Sequence, residues 1–348
     1  MAGMQNGHAA CPMEHVNLAL SFKEGDMTPA QAILERAQCS CNEDRRHLQS
    51  VLSIMEPTAS GAMLLDDVAA QEPKVFLEAC EDEERGGGLQ LDGKSISINT
   101  DMMRNRVGEE DIWLLAILGH ELQHIWQLRR KDVGRDHFHA NVLMENVHDR
   151  LFYCRMTEAD AVSMGIQLCG EAHRLGLLGA RNPCLERTLY RPCFEAFFSC
   201  VEKDTNSLDD GRARRAAAQA WMGISRIKAD YEQGGLQSFR KGISHVAGMA
   251  SQLRPMLAQL DAEDLKAFFP KSVWTDPSRR QALLEALPMP DGKPYLDAGI
   301  FSDPAWNEVE KGCFRKQRLA IRQQRFLKHS LLVGFPALPD PALKVRFS

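Results

Sequence analysis

The sequence predicts a mainly α fold with a small antiparallel β-hairpin or sheet, an α+β class. Three observations carry that prediction. Apolar residues recur at helical spacing along most of the chain. One short stretch, 89–98, alternates like a strand instead. The 348 residues are 44% hydrophobic and 26% charged, an ordinary globular balance that excludes a disordered or collagen-like chain. At roughly 150 residues per domain, the length suggests two domains.

The elements follow in order. Val16 to Phe22 is the one ordered-looking piece of the first 24 residues. Thr28-Pro29 is a helix start, with Ala30, Ile33, Leu34 and Ala37 on one face. A second helix runs from Asn42 to Met55 and stops before Pro57. Leu89 and Leu91 flank Gln90, Asp92-Gly93 is a hairpin turn signal, and Ser95-Ile96-Ser97-Ile98 alternates again. Glu109 to Arg130 has acids at its start and bases at its end, as the helix dipole favours. His139 to Leu175 reads as one long or kinked helix. Further helices are expected at Cys184 to Val201, Gly211 to Tyr231, Ser251 to Phe269, Pro277 to Leu287 and 307–332. Pro288 to Pro304 is loop-rich, and Pro336, Pro339 and Pro341 mark an extended tail.

Charge and cysteines narrow the class. The formal net charge is −5, which argues against nucleic-acid binding by the whole chain. The ten cysteines include no Cys-x-x-Cys pair, so a zinc ribbon or thioredoxin motif is not expected. The first residues lack the basic start and apolar core of a signal peptide. Ile112 to Leu118, the most apolar run, is too short to span a bilayer. The expectation is a cytoplasmic chain with reduced, mostly buried thiols and no membrane span. Nothing in the sequence sets an oligomeric state.

Chemistry concentrates in His120-Glu121-Leu122-Gln123-His124, on the apolar helical run WLLAILGHELQHIWQ. On a helix, residues i and i+4 share a face one turn apart, so two imidazoles can converge on one Zn2+. Glu121 projects differently and can act as a base toward water activated by the metal. Gly119, just before the first histidine, is expected to leave room around the site. A third ligand must come from elsewhere. Glu158, in Arg155-Met156-Thr157-Glu158-Ala159-Asp160-Ala161, is preferred, because a returning helix would bring it back to the histidines. Asp160 is the reserve, and Glu145, Asp149 and Glu171 are more remote choices.

HELQH followed by a helical Glu-Ala-Asp-Ala segment resembles the gluzincin branch of zinc metallopeptidases. The 85–170 region is similar to small bacterial minimal gluzincins and to an uncharacterised bacterial metallopeptidase family. The resemblance covers about a quarter of the chain. It implies a zincin-like core over residues 25–200, with 201–348 as a helical extension or accessory region. It also implies Zn2+ on His120, His124 and Glu158, with Glu121 as general base acting on a peptide or protein substrate. The hairpin strand, around Ile96, Ser97 and Ile98, would receive substrate backbone by strand addition. Two departures stand out. Many gluzincins place an acid four residues after the ligand glutamate, where this chain has Val162. Related groups use an earlier glutamate, where it has Met156. A third histidine six residues after the second would mark a metzincin, and that position is Arg130.

An oxyanion needs a donor beside the metal. Tyr190 (with its neighbour Arg191) and His245 are the candidates. Rival readings are a catalytically silent helical metal-binding or interaction protein, and a scaffold built on the basic 311–328 helix. That stretch holds Lys311, Arg315, Lys316, Arg318, Arg322, Arg325 and Lys328 and no acid, and Phe314, Leu319, Phe326 and Leu327 are expected on its packed side.

Overall fold

Thr28 starts the first helix as the sequence predicts. Its hydroxyl accepts from the Gln31 amide at 3.2 Å, and its own amide donates to the Gln31 side chain at 2.9 Å, a reciprocal capping box ahead of Pro29. In the computed structural model, the described residues are 27–79, 86–90, 93–105, 110–130, 147–178, 190–259 and 318–331. The elements are α1 (Pro29–Arg36), β1 (Gln38–Cys39), α2 (Asn42–Met55), α3 (Ala59–Ala69), β2 (Lys74–Glu78), β3 (Gly87–Leu89), β4 (Ser95–Asn99), α4 (Thr100–Arg104) and α5 (Glu110–Arg130). They continue as α6 (Val147–Arg174), α7 (Arg191–Lys203), a 3-10 turn (Thr205–Leu208), α8 (Arg212–Met222), α9 (Ser225–Gly248), α10 (Ala250–Leu257) and α11 (318–331). This is a mainly helical α+β fold, in the class expected.

The predicted antiparallel pair exists, with Leu89 opposite Ile96, Gly88 opposite Ser97 and Gly87 opposite Ile98. Gly93 takes φ +61°, the left-handed conformation the turn requires. The first strand is shifted toward the glycine run, however, and the sheet is larger than a hairpin. Its order is β1-β2-β4-β3, with β1 and β2 parallel and β2 and β4 parallel. β2 escaped the sequence analysis because its run, Lys-Val-Phe-Leu-Glu, offers only two fully buried positions for a pattern to register. The predicted single helix 211–231 is two helices, broken at Gly223-Ile224.

α5 is apolar on almost every side because it is the central helix of the molecule. Trp113, Leu114, Leu115, Leu118, Leu122, Ile125 and Trp126 are all buried in one hydrophobic cluster. Two polar anchors fix it against its neighbours. Asp111 at its start accepts from Ser50 at 2.6 Å and contacts His47 Nδ1 at 2.7 Å, both on α2. Trp126 near its end donates to Asp67 on α3 at 2.8 Å.

α6 packs along α5, running antiparallel. It is anchored in turn at the N-terminus of α3, where Glu171 accepts from the Ser60 amide at 2.9 Å and hydroxyl at 2.7 Å. A carboxylate there meets unsatisfied amides and the positive end of the helix dipole.

The main cluster includes Phe194, Phe197, Ala213, Ala217 and Trp221, so it runs through α7 and α8 with no break at residue 200. A smaller cluster joins α9 to α11 through Leu236, Phe239, Ile243, Val246, Ala320, Leu327 and Leu331. On α11, Leu327 is packed as predicted. Leu319 and Phe326 are 46% and 45% exposed, because the buried face is the one that carries Ala320, Gln324 and Leu331. Phe314, Lys311, Arg315, Lys316, the helices and loop expected within 260–317, the piece expected at 16–22 and the expected proline tail lie outside the described residues.

No helix among the described residues is long and apolar enough to cross a membrane. Cys39, Cys41, Cys169, Cys193 and Cys200 are free thiols. Burial pushes Cys169 and Cys193 up to about 12, so at neutral pH both behave as small apolar residues.

Candidate metal centre

The seam between α5 and α6 begins with glycines. A Cβ added to Gly165 would run into the backbone carbonyl of Ala116, and one added to Gly119 would meet Leu168 Cδ1. The room left by Gly119 therefore admits α6, a different use from the one the sequence suggested. Close approach of the two backbones is what lets a side chain from α6 reach across about two turns further along.

That side chain is Glu158. Its Oε2 lies 3.5 Å from His120 Nε2, and its Oε1 lies 3.6 Å from His124 Nε2. The two Nε2 atoms are 3.0 Å apart, and the rings stand at 86° to one another. The helical spacing supplies the first convergence, since His120 and His124 are one turn apart on the same face. The antiparallel return of α6 supplies the second.

All three residues are half-buried and could hold a metal ion, with one ligand atom from each lying within 4.8 Å of the others. The donor set fits such an ion. Four ligands placed tetrahedrally at zinc distances stand about 3.3 Å apart, and the observed separations bracket that value. Two imidazoles and one carboxylate suit a zinc-like transition metal better than magnesium or calcium, which prefer oxygen alone.

Electrostatics in the metal-free protein point the same way. Burial and the neighbouring His124 lower His120 to about 4. Burial alone would lower His124 too, but the Glu158 carboxylate outweighs it and raises His124 to about 9. The Glu158 carboxylate thus favours the charged form of His124, while burial disfavours that of His120. The cluster is arranged around a positive charge.

Glu121 is 4% exposed and sits beside the ligand pair, with Oε1 3.9 Å from His120 Nε2. It faces β3: a Cβ on Gly87 would lie 3.0 Å from Glu121 Oε1. The glycine run leading into the sheet leaves space above this carboxylate, a role the sequence gives no sign of. β4 lies between β2 and β3, so Ile96, Ser97 and Ile98 are paired on both sides and cannot receive an added strand. β3 is the end strand in the order of this sheet, and its Gly87 lies beside Glu121.

Asp160, the reserve ligand, is engaged elsewhere. It is 1% exposed and accepts from Gln123 Nε2 at 2.6 Å, Gln127 Nε2 at 2.6 Å and Arg214 at 2.5 Å. Gln127 also touches the site, with Oε1 2.9 Å from His124 Nδ1. Glu171 is held by Ser60 and Gln167, far along α6 from Glu158. Glu145 and the side chain of Asp149 lie outside the described residues.

Tyr190 precedes the first turn of α7, half-buried against the main cluster. His245 is exposed on α9, between Ile243 and Val246 of the smaller cluster. Neither belongs to the assembled His–His–Glu group. Sequence reasoning missed Gln127 and Arg214. Gln127 had a legible signal, being one turn from Gln123 and three residues from His124 on the same helix; Arg214 had none.

A search among curated proteins gave no match, and neither did one among solved structures. A family model does match, over residues 28–239, which takes in every element from α1 to α8 and most of α9. The chain belongs to that family, described as "Putative metallopeptidase family (DUF6782)".

Proposed function

We propose that this chain is a zinc-dependent peptidase in which His120, His124 and Glu158 hold the metal and Glu121 is the general base. The observation that carries the reading is the convergence of both His Nε2 atoms and the Glu158 carboxylate, with Glu121 buried alongside. When bound, zinc supplies Lewis acidity, polarising a carbonyl and making water easier to deprotonate.

The protein's own groups do the rest. Glu121 takes the proton from the attacking water and delivers it to the leaving amine, so one carboxylate serves as base and then as acid. Its setting suits that task, since little solvent competes for the proton. A peptide or protein substrate reaches Glu121 past β3, where Gly87 and Gly88 carry no side chain, rather than along the β4 residues Ile96, Ser97 and Ile98. Glycines there let the substrate come close to Glu121.

The test combines metal analysis with a conservative substitution. Purified protein is expected to carry about one zinc per chain and to cleave a denatured-protein or mixed-peptide substrate. Glu121→Gln should keep the zinc and reduce turnover by about 10²- to 10⁴-fold. A preparation that takes up no zinc would overturn the metal assignment. Unchanged turnover in Glu121→Gln would overturn the role of the base.

A further inference from the structure

Resting on that zinc reading, we propose that Gln127, Asp160 and Arg214 form a positioning chain that fixes the tautomer of His124, so that its Nε2 presents a lone pair to the metal. Asp160 on this view is a positioning residue and takes no place among the ligands.

The argument starts from the amide of Gln127. A glutamine side chain has a nitrogen end, with two hydrogens, and an oxygen end, with none. The nitrogen end is fully committed: it donates to Asp160 Oδ2 at 2.6 Å and to the Thr157 carbonyl at 2.9 Å. Both partners are acceptors only, so the amide cannot turn over. Its oxygen must then face His124 Nδ1, 2.9 Å away. A carbonyl oxygen only accepts, so Nδ1 carries the hydrogen. In a neutral imidazole that leaves Nε2 without one, and Nε2 is the atom that points at Glu158 and His120. The hydrogen bond made by one ring nitrogen decides what the other can ligate.

Asp160 must accept from Gln127 for this to hold. Arg214 provides the condition, donating to Oδ1 at 2.5 Å while Gln123 and Gln127 share Oδ2. The arginine is 4% exposed and comes from α8, in the stretch expected from the sequence to be an accessory region. The ion pair is buried, and such a pair is costly to break by removing one partner. Its position explains what Val162 lacks. The acid expected four residues after Glu158 is replaced by one two residues after it, acting through an interposed glutamine.

Asp160→Asn separates this role from simple packing. The substitution is nearly isosteric, but it can set an NH2 group against the NH2 of Gln127. The glutamine then turns, its nitrogen faces Nδ1, and the hydrogen of His124 moves to Nε2. Gln127→Met is the second variant. It keeps the helix and the volume, and it leaves Asp160 its bonds from Gln123 and Arg214.

Zinc affinity is measured on the full chain by competition with a chromogenic chelator, and the ¹⁵N shifts of labelled histidine, read in chelator-treated protein at alkaline pH where the ring is neutral, report the tautomer. We expect both variants to bind zinc about 10- to 100-fold more weakly, with loss of the wild-type Nδ1–H signature and unchanged helical circular dichroism. Wild-type affinity and an unchanged His124 signature in the two variants would overturn the positioning chain while leaving the zinc site standing. If the wild-type chain itself binds no zinc, the zinc site falls and the positioning chain with it.

Discussion

The α5–α6 seam has two halves built on opposite principles. Around Ala116, Gly119, Gly165 and Leu168 it is apolar, and the helices meet because side chains are missing. Around Gln123, His124, Gln127, Glu158 and Asp160 it is polar, and the helices meet because side chains reach each other. The apolar half sets the distance; the polar half uses it. A glutamate is short compared with the spacing of ordinary packed helices, 8–10 Å, so two-histidine contact from the facing helix needs the close approach the glycines provide. Fold and chemistry are therefore separable along one helix pair, and substitutions in the two halves should have different signatures.

The largest effect is expected in the polar half. Glu158→Gln removes the ligand charge and nearly nothing of the packing. Zinc affinity should fall by more than the 10- to 100-fold typical of an outer partner, while the thermal midpoint of the metal-free protein changes little above pH 9, where His124 no longer carries the proton that Glu158 stabilises. Isothermal titration of zinc into the metal-free variant measures the first and a thermal melt the second. A variant that binds zinc normally would remove Glu158 from the ligand set.

Proton competition comes next, and it also belongs to the polar half. The metal must displace the proton on His124, whose pKa is raised to about 9, whereas His120, lowered to about 4, carries none between those values. Zinc affinity should therefore fall about tenfold per unit as pH drops from 8 to 6, one proton being released per metal. Stability of the metal-free protein runs the other way in part of that range. A raised histidine pKa contributes stability that is fully present below about 6.5 and is lost as pH rises through 9. His120 adds the opposite slope below about 6.5, where the unfolded chain takes up a proton that the folded site refuses. Melting temperatures of chelator-treated protein should thus decline from pH 7 to 9.5. A flat profile, or zinc uptake without proton release in buffers of different ionisation enthalpy, would break the proton-competition picture.

Substitution in the apolar half should instead act on the fold. Gly165→Ala drives a methyl group into the Ala116 carbonyl, and backbone cannot yield as a side chain can. Overpacking of this kind costs about 1–3 kcal/mol, partly offset by the helix preference of Ala over Gly. Chemical denaturation should show the loss directly. Zinc binding should weaken as a secondary consequence, because Glu158 is carried away from the histidines.

What the sequence disclosed follows the same division. His120, Glu121, His124 and Glu158 were legible because helical spacing and residue chemistry are local, and a returning helix was enough to join them. The long buried helices were legible because their apolar faces recur many times over. Gly165 was not, since nothing in an isolated Ser-Met-Gly-Ile run says that a carbonyl from another helix lies against it. Arg214 was not, because its partner is 54 residues away in a buried contact. β1 and β2 were missed for a related reason. Parallel pairing joins strands that are distant in sequence and leaves no turn signal between them. The assignment of Ile96, Ser97 and Ile98 to an open strand failed on this point, since β2 covers the side of β4 that a lone hairpin would expose.

Gly119→Ala is expected to give the smallest effect and is the sharpest check on the apolar half. The added methyl would meet Leu168 Cδ1, the far end of a flexible side chain, rather than backbone. Leu168 can change rotamer, and the gain in helix preference, about 1 kcal/mol, works against the cost of repacking. Net stability should stay within about 1 kcal/mol of wild type, with zinc affinity preserved. If Gly119→Ala were instead as damaging as Gly165→Ala, the seam would be limited by side-chain crowding around Leu168. The distance between the helices would then not be set where Gly165 meets Ala116, and Glu158 would owe its reach to some other contact.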